Sequence, residues 1–219
     1  MAAQMQTLAE AARWYDAWLR DAALPLWSSA GVDSARGFFH EALSVEGRPH
    51  LVARRSRVQA RQVFVFATCA RRGYGPALAA VARRGFAGLV ADYRRPDDLF
   101  INSVDVDGTP RDQGVDIYEQ AFALLAMAAL HAVDPAAGDL PAEAQRTLQA
   151  LQDRRVIGGG FRESGKQPYQ ANCHMHLLES SLAWEEAGVA SWAALSDEIV
   201  ALALGSFIDG KTGVLREFF

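Results

Sequence analysis

"NCHMHLLESSLAWEEA", residues 172–187, sets two histidines two positions apart beside an asparagine and a glutamate. A strand would align the histidines on one face. On a helix they point about 160° apart, because successive residues turn by about 100°. The apolar spacing of "LLESSLAWEEA" is helical, so the whole stretch reads as a helix. Asn172, His176 and Glu179 then fall within about 60° of one another and form a polar stripe. Cys173, Leu177 and Trp184 lie on another side. A metal shared by the two histidines is disfavoured, since one helix face would need His-x-x-x-His.

Outward from this stretch, helical periodicity dominates the chain. Helices are expected over about 7–24 (ended by Pro25), 56–72, 76–93, 116–131, 141–154 and 191–207. Pro76 suits a first helical turn, and Asp116 is placed to cap "DIYEQAFALLAMAALH". The joins around Gly73, Pro135 and Gly188 are short. Those at 25–55, 96–115 and 155–171 are long and carry turn chemistry and strand-like pieces such as "GFFHEAL", "FINSVDVDGTP" and "GGGFRESG". The even-numbered helices begin near 56, 116 and 172, a repeat of helical hairpins visible in layout rather than in similar letters. Stacked side by side, such hairpins put every long loop and every even-helix N-terminus at one end. A functional site is expected there.

Composition is that of an ordinary globular protein: 50% hydrophobic, 22% charged, net charge −4 over 219 residues. The arginines are spread along the chain, so no nucleic-acid footprint is present. Cys69 and Cys173 sit in apolar helical runs and read as buried thiols of a reducing compartment. The N-terminus lacks the basic start and unbroken apolar run of a signal peptide, and no apolar run is long enough to span a membrane. The expectation is one domain over 1–219, cytoplasmic and without a membrane partner.

The polar residues at the expected site end carry two readings each. The Asn172–His176–Glu179 stripe is either part of a pocket or a satisfied seam between helices. Arg57 and Arg61 either face a ligand or cap loops and pair with carboxylates. Tyr118 fits a core position with its hydroxyl satisfied. His131 ends a helix, where a cation suits the dipole, and His40 and His50 receive no role. "GGGF" at 158–161 lacks the preceding strand and the spacing of a dinucleotide loop.

In order and spacing, "RVQARQVFVFA", "YEQAFALLAMA" and "NCHMHLLES" resemble the N-acylglucosamine 2-epimerase family. That family includes mannose and aldose–ketose isomerases and cellobiose 2-epimerases. "GFFHEAL" and "DGKTGVLREFF" also resemble its segments. The resemblance implies an all-α fold, an incomplete (α/α)6 barrel of about seven helices in stacked hairpins. It implies a small sugar as partner and no metal or redox cofactor. An open-chain sugar would lose its C2 proton to a histidine, pass through a cis-enediolate, and regain the proton at C2 (epimerisation) or C1 (isomerisation).

Carried over by position, Arg61 would reach the oxygens near C1 and C2, and His176 would be the first active-site histidine. Asn172 and Tyr118 would bind substrate, with Glu179 orienting its neighbours. "VQARQ" resembles the bacterial mannose-isomerase branch, which points to an unphosphorylated monosaccharide such as mannose. Relatives are longer, and a further G-H-x-x-E-W-like motif supplies a catalytic histidine and glutamate that these 219 residues do not contain. The expectation is therefore the N-terminal half of an isomerase, truncated, whose open edges a C-terminal half or a second copy in a homodimer would cover. A non-catalytic remnant that binds sugar or serves assembly is the alternative. A glycoside-processing enzyme with carboxylates such as Asp116 and Glu179 ranks below both.

Overall fold

A computed structural model describes residues 7–136, 138–167 and 169–218. Residues 1–6, where the segment read as lacking a signal peptide begins, and Phe219, which ends "DGKTGVLREFF", lie outside the described residues.

The helices are α1 Leu8–Trp18, α2 Leu24–Ser29, α3 Ser56–Arg71, α4 Ala77–Tyr93, α5 Ile117–Val133, α6 Leu140–Ala150, α7 Ala171–Glu186 and α8 Ala193–Leu202. Thr7 and Glu10 close a reciprocal capping box at the start of α1. Pro25 does not end the first helical run. A π turn at Leu19–Ala23 precedes it, and Pro25 falls in the first turn of α2, which continues directly from that turn.

The even-numbered helices of the sequence reading are α3, α5 and α7, and they line one side of the arc. Central α5 packs against α3 on one flank and α7 on the other, with α4, α6 and α8 each against its own hairpin partner. Twelve residues of α5, from Ile117 to Leu130, are buried. A helix gripped from several sides needs apolar residues all round, and "AFALLAMAAL" supplies them.

The repeat is written in letters as well as in layout. Phe39, Phe100 and Phe161 stand 61 residues apart and are fully buried. Each forms an isolated antiparallel bridge in its loop, with Val32, Arg94 and Arg155 respectively. Each is then pinned by the fourth residue of the following inner helix. Gln59 accepts from Phe39 N at 2.9 Å and donates to its carbonyl at 2.8 Å. Gln120 makes the same pair with Phe100, both at 2.8 Å. On α7 the pin is His174, whose Nε2 accepts from Phe161 N at 2.9 Å.

A second contact ties each unit to the next. The first N–H of α3 donates to Asn102 O at 2.9 Å, and that of α7 to Glu217 O at 2.8 Å. The first N–H of α5 donates to the Glu163 carboxylate at 2.9 Å. Asn102 and Glu163 lie two residues past their repeat phenylalanine, and Glu217 two past Leu215, which occupies the bridge position opposite Ile208. Loop acceptors thereby satisfy orphan N–H groups at the helix N-termini. Asp116 sits at the N-cap of α5, but its side chain does not cap it. Its carboxylate instead accepts from Asn102 Nδ2 at 3.1 Å, and Glu163 takes the capping role.

The loops carry a small antiparallel sheet of β1 Arg54–Arg55, β2 Ser103–Val104 and β3 Pro110–Asp112. Both cysteines are free and buried. Among the described residues no helix is long and apolar enough to cross a membrane.

Candidate functional site

Three inner helices open toward the loop end, and their first two turns hold the polar residues singled out in the sequence. Arg61 of α3 donates from Nη2 to the Tyr118 hydroxyl of α5 at 2.7 Å. Its guanidinium lies 4.0 Å over the Phe122 ring, one helical turn further along α5. The His176 ring of α7 packs against Phe122 at 4.5 Å and edge-on to Tyr118 at 5.1 Å. Three helices thus deliver a cation, a phenol and an imidazole around one aromatic side chain.

Beside them lies an open cleft of about 450 Å³, lined among others by Arg55, Arg57, Arg61, Tyr118 and Asn172. Arg61, Tyr118 and Asn172 line it, while His176 is not among the lining residues and packs behind them through its ring contacts with Tyr118 and Phe122. Glu179 does not line the cleft. It lies a turn further along α7, half exposed, and its carboxylate is bound to His176 Nδ1 at 2.9 Å. That contact leaves Nε2 as the ring nitrogen available elsewhere.

The two histidines that opened the sequence reading separate as helix geometry requires. His174 is buried, with Nδ1 against Gln170 O at 2.6 Å and Nε2 accepting from Phe161 N. Burial pushes its imidazole pKa down. It also explains the glycine run. Gly160 has φ +78°, and a Cβ there would stand 2.5 Å from His174 Nε2, so "GGGF" makes room for a pinned ring. His131 packs on Trp184 at 5.6 Å.

Sequence reasoning missed two carboxylates. Glu119, beside Tyr118, has a fully buried side chain, and its carboxylate takes the Ser56 hydroxyl at 2.6 Å and Arg57 N at 2.7 Å. It also forms a salt bridge with the Arg57 guanidinium. Burial pushes the Glu119 carboxyl up, while Ser56 and Arg57 act against that shift. With three donors on its two oxygens, one of them cationic, Glu119 is placed to accept as a carboxylate. Glu163 is also buried, faces the cleft, and accepts from Ile117 N at 2.9 Å and Tyr118 N at 3.0 Å. A signal existed for both, since a charged residue inside an apolar helical run or a glycine-rich loop needs a partner. Nothing local named that partner.

This arrangement can hold a polyhydroxylated ligand by hydrogen bonds, face a developing oxyanion with a guanidinium, and offer an imidazole for proton transfer.

Comparison with known proteins places the chain. The sequence profile of the N-acylglucosamine 2-epimerase (GlcNAc 2-epimerase) family matches residues 37–219. The chain is 40% identical over 209 residues to a protein of Rhizobium meliloti (strain 1021) named mannose-6-phosphate isomerase, covering 92% of this chain and 54% of that protein. It therefore spans about half the length of that curated relative. A solved D-mannose isomerase superposes with a TM-score of 0.86 at 14% identity, over 99% of this chain and 57% of the other. The cellobiose 2-epimerase of Spirochaeta thermophila DSM 6192 gives 0.84 at 22% identity, over 98% and 59%. The structural likenesses speak to the fold alone, an arc of helical hairpins of the (α/α)6 barrel class. On the match over residues 37–219, the chain belongs to the N-acylglucosamine 2-epimerase family.

Proposed function

We propose that this chain builds one wall of a sugar isomerase or 2-epimerase site, acting on a mannose-type aldose or ketose in the cytoplasm. The observation that carries the reading is the convergence of Arg61, Tyr118 and His176 around Phe122 at the loop end. The α-proton of an open-chain sugar becomes removable when the neighbouring carbonyl oxygen meets a positive, hydrogen-bonding partner as it turns into an oxyanion. Arg61 supplies that partner, and the Tyr118 hydroxyl together with the Phe122 face holds the guanidinium fork in one orientation. Asn172 offers a carboxamide to sugar hydroxyls. His176, with Nδ1 engaged by Glu179, moves protons through Nε2 between C2, C1 and the reacting oxygens. Return of the proton to C2 on the other face gives the epimer, and return to C1 gives the ketose.

The family resemblance assigns the principal base to a histidine in the G-H-x-x-E-W-like motif, which these 219 residues lack. The domain is accordingly proposed as the N-terminal part of the barrel, and the expected behaviour of the 219-residue chain is sugar binding without turnover. NMR detection of solvent deuterium entering C2 of mannose tests this. Exchange that disappears in His176→Ala would overturn the division of labour and assign the base to this chain. A sugar-binding domain without catalysis is the second reading, favoured if mannose binds the chain and if addition of the C-terminal half of a relative gives no exchange.

A further inference from the structure

Three arginines face the cleft, yet they differ in what stands behind them. Arg55 is held by Glu41, whose carboxylate takes the Arg55 amide at 2.9 Å and its side-chain Nε at 2.5 Å. The Glu41 side chain is largely buried, while that of Arg55 is half exposed. Arg57 is held by the fully buried Glu119. Arg61 has no carboxylate partner among the described residues, and its guanidinium meets only a phenol and an aromatic face. Two further carboxylates, Asp116 and Glu163, line the same cleft and are occupied by Asn102 and by the α5 N-terminus. The wall therefore carries no surplus of positive charge.

From this distribution we infer that Glu41 and Glu119 are specificity-determining residues that neutralise Arg55 and Arg57 from behind, leaving Arg61 as the single uncompensated cation and fitting the cleft to a neutral sugar rather than a sugar phosphate. The inference rests on the reading of the cleft as a sugar site. A phosphate carries up to two negative charges and calls for several convergent donors of surplus positive charge. Here a phosphate would meet one uncompensated guanidinium, Arg61, beside two whose fields carboxylates already cancel, and would face Asp116 and Glu163 as well. Two guanidiniums without a carboxylate partner among the described residues, Arg154 and Arg162, face an adjoining depression that shares Ser164 with the cleft.

Isothermal titration of the full chain with D-mannose, D-mannose 6-phosphate and inorganic phosphate separates the possibilities. The unaltered chain is expected to bind mannose more tightly than mannose 6-phosphate, and phosphate only weakly. Glu119→Gln and Glu41→Gln should each tighten inorganic phosphate about tenfold, the scale of one freed charge in a partly solvated cleft, with mannose affinity changed much less. If Glu119→Gln does not fold, Glu41→Gln, at the loop side of the wall, carries the same measurement. Unchanged phosphate affinity in the folded variants overturns the inference. So does wild-type preference for mannose 6-phosphate over mannose, and its loss in Arg154→Gln would place the phosphate beyond Ser164. Failure of mannose to bind at all, with the phosphate response intact, would sink the sugar-site reading and leave the charge assignment of the arginines standing.

Discussion

Arg61 and His174 show how one side chain is specified by its surroundings. Arg61 sits 4.0 Å over the Phe122 ring while donating to Tyr118, so one guanidinium serves a ring face and a phenol at once. His174 occupies the position where α3 and α5 carry glutamine, and it makes the same backbone contact with an aromatic ring instead of an amide. The substitution introduces a titratable group. Burial holds the His174 imidazole below its ordinary value of 6.5, so the folded chain takes up that proton less readily than the unfolded chain. Between the two pKa values the unfolded chain binds more protons. Stability therefore falls as pH drops through the window from 6.5 toward the folded value. Urea unfolding measured from pH 7 downward should show this loss in the unaltered chain, and His174→Gln should flatten it. An identical slope in both would show that His174 does not carry the effect.

At the scale of elements, a loop phenylalanine and the fourth residue of an inner helix form the joint of each unit. The Gln120 side chain satisfies both the N–H and the carbonyl of buried Phe100, so its removal strands a donor and an acceptor together. Gln120→Ala should cost about 3 kcal/mol, within the range for buried groups left unpaired. Denaturant titration at neutral pH would measure it, and a loss below about 0.5 kcal/mol, the scale of a neutral surface change, would contradict the role given to the joint. The hairpin order of α3 to α8 was legible in the sequence because helix period, proline and glycine are local signals. The 61-residue joint was not, because a lone Phe followed twenty residues later by Gln has no meaning until the loop folds back onto the helix.

Across the whole molecule, stability is graded along the arc. Central α5 is buried along most of its length and flanked by neighbours on both sides, whereas α1 has no buried residue. Native-state hydrogen exchange should find the slowest amides in α5 and the fastest helical ones in α1. Equal protection in the two would mean the arc opens as one unit. The same gradient bears on the site, because Tyr118 and Phe122 stand on α5 and the residues that meet them, Arg61 and His176, come from the helices on either side. By itself the sequence determined where the helices run, which end collects the loops, and that Asn172 and His176 share a stripe. Each of these follows from a periodicity of a few residues. Only the tertiary structure decided that Glu119 reaches back to Arg57, that Glu163 rather than Asp116 caps α5, and that Phe122 meets both Arg61 and His176. These contacts join residues some 46 to 62 positions apart, and their partners are chosen by which helices become neighbours, a choice no local pattern encodes.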